Sequence, residues 1–141
     1  MRKLLLSLTL AFVMAFSCTT VGFAAVSEEA IVEPRSTSSM NISVSRESGT
    51  EGGATIDVNF AGYVDTFSIT VYLQKQSNGS WVNDTSNEDY AIRATGSNRH
   101  YAFFNVFYDK LIRGTSYRLK VVSVTTYNDV TYKSTGYSQV F

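Results

Sequence analysis

The sequence predicts an all-β fold, an antiparallel seven-stranded β-sandwich, and three observations carry that prediction. Beyond residue 39, apolar side chains recur at every second position, the period of a half-buried strand, and no 3.6-residue period is sustained. The periodic runs are short and rich in β-branched and aromatic residues. Clusters of Gly, Asn, Asp and Ser, the residues that tolerate turn geometry, separate them at the spacing of an all-β domain.

Residues 1–24 read as a helical signal peptide. Arg2 and Lys3 form its basic start, Leu4 to Phe16 its apolar run, and Gly22 and Ala24 its small residues before the cut. Cleavage is expected after Ala24, with Ala25 as the alternative. The apolar run is shorter than the roughly 20 residues of a membrane span, which argues against an uncleaved anchor. A lipoprotein attached through Cys18 is a competing reading, although Ala15-Phe16-Ser17 matches a lipid-attachment site poorly. Residues 25–39, with the chain's only proline at Pro34, read as a leader or linker without packed structure. The domain proper is then 40–141.

Removing the signal leaves ten basic residues against twelve acidic ones. Such a balance lacks the positive excess that nucleic acid or an anionic membrane surface demands. The one cysteine leaves with the signal, so the expected mature domain is cysteine-free and has no disulfide. Exported eukaryotic domains of this size lean on disulfides, and their absence points to a bacterial, Gram-positive, extracellular protein. Asn41, Asn78 and Asn83 head N-x-S/T triplets, which matter only in a eukaryotic secretory pathway.

The strands follow in order. Met40 to Arg46 sets Met40, Ile42 and Val44 against polar neighbours, and Ala54 to Phe60 does the same with Ala54, Ile56, Val58 and Phe60. Glu51-Gly52-Gly53 is the turn between them. Phe67 to Leu73 places Phe67, Ile69, Val71 and Leu73 on one face. Asn78-Gly79 closes a tight hairpin that returns as Trp81-Val82, because both turn residues accept positive φ. Tyr101 to Tyr108, Tyr117 to Val124 and Val130 to Val140 complete the seven, with Asn128-Asp129 as a second hairpin turn and the register of the last strand left open.

Leu111-x-x-Gly114-Thr115-x-Tyr117 resembles the L-x-P-G-T-x-Y corner of fibronectin type III and immunoglobulin-like sandwiches, with Arg113 in the proline place. The resemblance implies that Tyr117 is a structural tyrosine corner, its ring in the core and its hydroxyl bonded to backbone. It also implies that Tyr117, Leu119 and Val121 point inward and Arg118, Lys120 and Val122 outward. The tryptophan usual on the second strand is absent. The general layout resembles small secreted bacterial proteins of uncharacterised function.

Catalytic constellations are sparse. His100, the only histidine, would have to serve any Ser-His-Asp arrangement, and it reads better as a strand-edge residue. No zinc-ligand spacing is present, and no acid sits in an apolar context suited to glycoside hydrolysis. Asp84, Glu88 and Asp89 crowd one loop, a weak calcium possibility without the usual loop frame; a solvated crossover is the simpler reading. No cofactor is expected.

Two surfaces remain. Hairpin arithmetic places Trp81 on the outward face with Gln74 and Tyr72, joined by Arg118 and Lys120 if their strand lies alongside. Rings beside polar and basic groups suit a glycan or peptide, against the plainer reading that Trp81 covers the sheet. Tyr101, Phe103 and Phe107 point outward beside Thr55, Asp57 and Asn59, a surface for docking a partner unless a loop covers it. The functional expectation is a secreted, non-catalytic binding module for a glycan or a protein surface. A self-associating structural or toxin-like protein is the alternative, and a small hydrolase the minor one.

Overall fold

A computed structural model describes residues 37–141; the signal peptide, its cleavage site and residues 25–36 of the leader lie outside the described residues. The described chain is all-β, with no helix. Six strands follow one another: β1 (Thr37–Arg46), β2 (Gly52–Ser77), β3 (Ser80–Asn83), β4 (Ala91–Tyr108), β5 (Tyr117–Tyr127) and β6 (Val130–Tyr137). All pair antiparallel in one curled sheet, ordered β1-β2-β5-β6, with β3 and β4 also on β2.

β2 is the spine, and its two halves have different neighbours. From Gly52 to Asn59 it pairs with β1 and with the C-terminal half of β4; from Val64 it pairs with the N-terminal half of β4 and with β5. The runs Ala54–Phe60 and Phe67–Leu73, expected as two strands, are therefore one. Residues 61–66 stay extended, and the register with β4 slips between Asn59 and Val64, which bends the strand without ending it. This is why six strands stand where seven are expected. β4 is similarly longer than its apolar run and includes Ala91–His100. β1 begins at Thr37, three residues inside the segment read as leader.

Alternation assigns the faces correctly. Ile56 and Val58 from one half of β2, and Ile69, Val71 and Leu73 from the other, are fully buried and share one core with Leu119 and Val121. Each such side chain contributes about 1.5–3 kcal/mol by leaving water, so the curl that brings both halves onto one core is the main source of stability. On one side β1 and β6 approach each other, with Met40 lying over Gly136 so closely that any side chain at 136 would collide with its sulfur. On the other side, among the described residues, β4 pairs with β2 alone.

Both expected hairpins form. Asn78 and Gly79 (φ 51° and 78°) join Ser77 to Ser80, and Asn128 and Asp129 (φ 47° and 62°) join Tyr127 to Val130.

Candidate functional site

The Asn78-Gly79 hairpin sets Trp81 opposite Gln76, and the β2–β5 register sets Tyr72 opposite Lys120 and Gln74 opposite Arg118. The four residues Tyr72, Trp81, Arg118 and Lys120 thus lie on one outward face. At its centre Arg118 is already engaged. Its guanidinium carbon sits 4.6 Å from the centre of the Trp81 ring and 4.4 Å from that of Tyr137, and its Nε donates to Gln74 Oε1 at 2.9 Å. A cation held between two rings gains on the order of 1 kcal/mol per contact, so much of this face is self-satisfied. Tyr137 completes the stack and was not among the expected site residues. The signal for it was present: a two-residue turn at Asn128-Asp129 fixes Tyr127 opposite Val130, and counting back sets Lys120 opposite Tyr137.

Tyr101, Phe103 and Phe107 also face outward, with exposures of 47%, 60% and 70%. Their partners on β2 are Asn59, Asp57 and Gly53, and Asn105 between them accepts a bond from Thr55 Oγ1 at 2.9 Å. No loop among the described residues covers the two phenylalanines. His100 at the bend lies between the rings of Tyr63 and Tyr101, at 4.9 and 5.0 Å between centres, so its surroundings are aromatic. An open groove of about 520 Å³ follows the bend of β4, walled by Phe67, Thr95, Arg99, Tyr101, Phe103 and Phe104.

The acidic loop is divided by the fold. Asp84 is buried, bonded to Lys75 Nζ at 2.8 Å, to the Ser86 hydroxyl, and at 3.3 Å to the hydroxyl of Tyr117. Glu88 and Asp89 are exposed, and no metal-holding group of acids, histidines or cysteines exists among the described residues. Burial pushes the Asp84 carboxyl up, but the bonds from Lys75 and Ser86 and the lysine's charge outweigh it and hold the group below the usual carboxylate range. The same bond raises Lys75. Tyr117 accepts from the backbone N–H of Ile112 at 3.0 Å, the bond a tyrosine corner makes, and burial pushes its hydroxyl up. Asp84, read from sequence as part of a solvated loop with a weak calcium possibility, is instead buried and bonded to Lys75, Ser86 and Tyr117.

No family model, curated protein or solved structure matches the chain.

Proposed function

We propose that this protein is a secreted, non-catalytic binding module that engages another protein surface through the outward row Tyr101, Phe103 and Phe107. The observation that carries the reading is the exposure of Phe103 and Phe107, at 60% and 70%, on a strand with no covering element among the described residues. Rings this exposed leave apolar area in contact with water that a partner would remove, and Tyr101 and Phe103 wall one groove. The fold itself is read as a fibronectin type III-like sandwich whose sheets are joined by the continuous strands β2 and β4. The Tyr117–Ile112 bond supports this.

Tyr72, Trp81, Arg118 and Lys120 form a second reading, a glycan site, favoured by the ring faces at Tyr137 and Trp81. The saturation of Arg118 argues for the first surface.

Immobilised full-length chain probed with a glycan array and a peptide array separates the two. Under the proposal, binding is lost in Phe103→Ser/Phe107→Ser and kept in Trp81→Ala. Loss in Trp81→Ala with the phenylalanine variant unaffected moves the site to the Arg118 face. Binding that both variants retain would refute both surfaces.

A further inference from the structure

We infer that the acidic depression where the two ends of β4 meet receives an arginine side chain of the protein partner. The inference rests on the reading above, that the Phe103 and Phe107 row engages a protein surface, and it names the chemistry of that surface.

The curl of β4 builds the depression. Asn87, ahead of the strand's start, donates through Nδ2 to the Asp109 carbonyl past its end at 2.9 Å, so the two ends come together. There Asp89 and Asp109 meet Glu47 and Glu51, which lie between β1 and β2. The four acids line one open depression of about 420 Å³, with Phe107 and Tyr108 also in its wall. No lysine or arginine lines it, and none of the four acids makes an ion pair among the described residues. Like charges gathered without a counterion set up a negative potential that a cation from outside complements.

Tyr108 gives a separate indication of a ligand. Its side chain is 2% exposed, and its hydroxyl is the one buried side-chain polar atom without a hydrogen-bond partner among the described residues. Burial, and then the charge of Asp89, push this hydroxyl up, so the oxygen lies on the side where Asp89 lines the depression. A phenol oxygen beside a carboxylate is best served by a donor that brings positive charge, and a guanidinium N–H is such a donor.

The layout of the acids selects among cations. A metal ion needs its oxygens within about 2.6 Å, and these residues form no metal-holding group. Carboxylates spread around a cavity suit a cation whose charge is itself spread. Guanidinium is planar, carries five donors in fixed directions and stacks on rings, whereas an ammonium is a compact point charge. Phe107, 70% exposed beside the acids, offers a face for that plane or for the aliphatic stem behind it.

The test titrates the full-length chain with N-acetyl-arginine amide, followed by NMR amide shifts, with N-acetyl-norleucine amide as the uncharged counterpart. The arginine compound is expected to shift Asp89, Phe107 and Asp109, and the norleucine compound to leave them in place. Asp89→Asn/Asp109→Asn should weaken the binding by about fivefold or more. Its melting temperature should not fall, because unpaired like charges are being removed. Tyr108→Phe should weaken the binding by about threefold. Shifts that the neutralised variant retains at equal affinity, or a melting temperature that drops in it, overturn the inference. The peptide array separates this result from the reading beneath it. Arginine-bearing peptides should be held by the wild type and lost from Asp89→Asn/Asp109→Asn. Array binding that Phe103→Ser/Phe107→Ser abolishes and the neutralised variant keeps overturns the inference and leaves the protein-binding reading standing. Arginine shifts at the depression with no peptide held on the array overturn that reading and leave the depression an arginine site.

Discussion

The flank around Tyr117 and the flank formed by β4 treat their polar and aromatic groups in opposite ways. Near Tyr117 each group is used: Asp84 takes bonds from Lys75, Ser86 and the tyrosine hydroxyl, Ile112 reaches the same hydroxyl, and Arg118 lies between two rings. Along β4 the groups stand open. Among the described residues the Tyr108 hydroxyl is buried with no partner, β4 has no strand neighbour beyond β2, and Phe103 and Phe107 are exposed. Both flanks draw on the same residue types, so composition does not decide which groups are satisfied within the chain and which stand open to solvent. What decides is whether the surrounding chain satisfies them.

That contrast predicts a descending series of effects on stability. Lys75→Met leaves Asp84 buried without its cation and should cost about 3 kcal/mol, read by denaturant unfolding. Its pH dependence fixes the cause. The Asp84 carboxyl is held low in the folded state, so its contribution is present above its unfolded value of 3.8 and fades as pH falls through the folded value. In the variant the unpaired carboxyl gains from protonation. The difference in melting temperature between the two proteins should therefore narrow below about pH 4. Lys75 is raised, so its own contribution holds below 10.5 and is lost as pH climbs past the folded value.

Tyr117→Phe comes next, at about 1–2 kcal/mol for two bonds at one buried hydroxyl; an unchanged melting temperature would remove the corner. Tyr108→Phe should go the other way. It deletes a buried hydroxyl that has no partner, and the expected gain of about 1 kcal/mol appears as a higher melting temperature. The smallest effect belongs to Phe103→Ser/Phe107→Ser, whose side chains touch little within the monomer. Stability should stay within about 0.5 kcal/mol in denaturant unfolding, and a larger loss would mean the row belongs to the fold.

Legibility in the sequence follows the same division. Where one face is buried, alternation is enforced by the core, and the inward sets Ile56-Val58, Ile69-Val71-Leu73 and Tyr117-Leu119-Val121 could be read residue by residue. Hairpin chemistry at Asn78-Gly79 fixed the neighbours of Trp81 for the same kind of reason. Ala91–His100 gave no such signal. Its inward positions include Ala94 and Gly96, and Gly96 is small because the Phe67 ring occupies the space a side chain would need. A strand whose inward residues are chosen to be small for a neighbour's benefit carries no apolar rhythm of its own. The role of Asp84 was hidden for a related reason. A carboxylate in a run of Asn, Thr, Ser and Glu looks solvated, and only the fold brings Lys75 and Tyr117 to it.

The continuity of β2 has a consequence for how the molecule comes apart. A sandwich of separately connected sheets can lose one sheet while the other persists, but here one strand supplies the central rung of both halves. Freeing Ile56 from its ladder and freeing Ile69 from its own require disrupting the same 26-residue segment. Amide hydrogen exchange at these two positions should therefore report one opening event with one free energy, and the domain should unfold as a single cooperative unit.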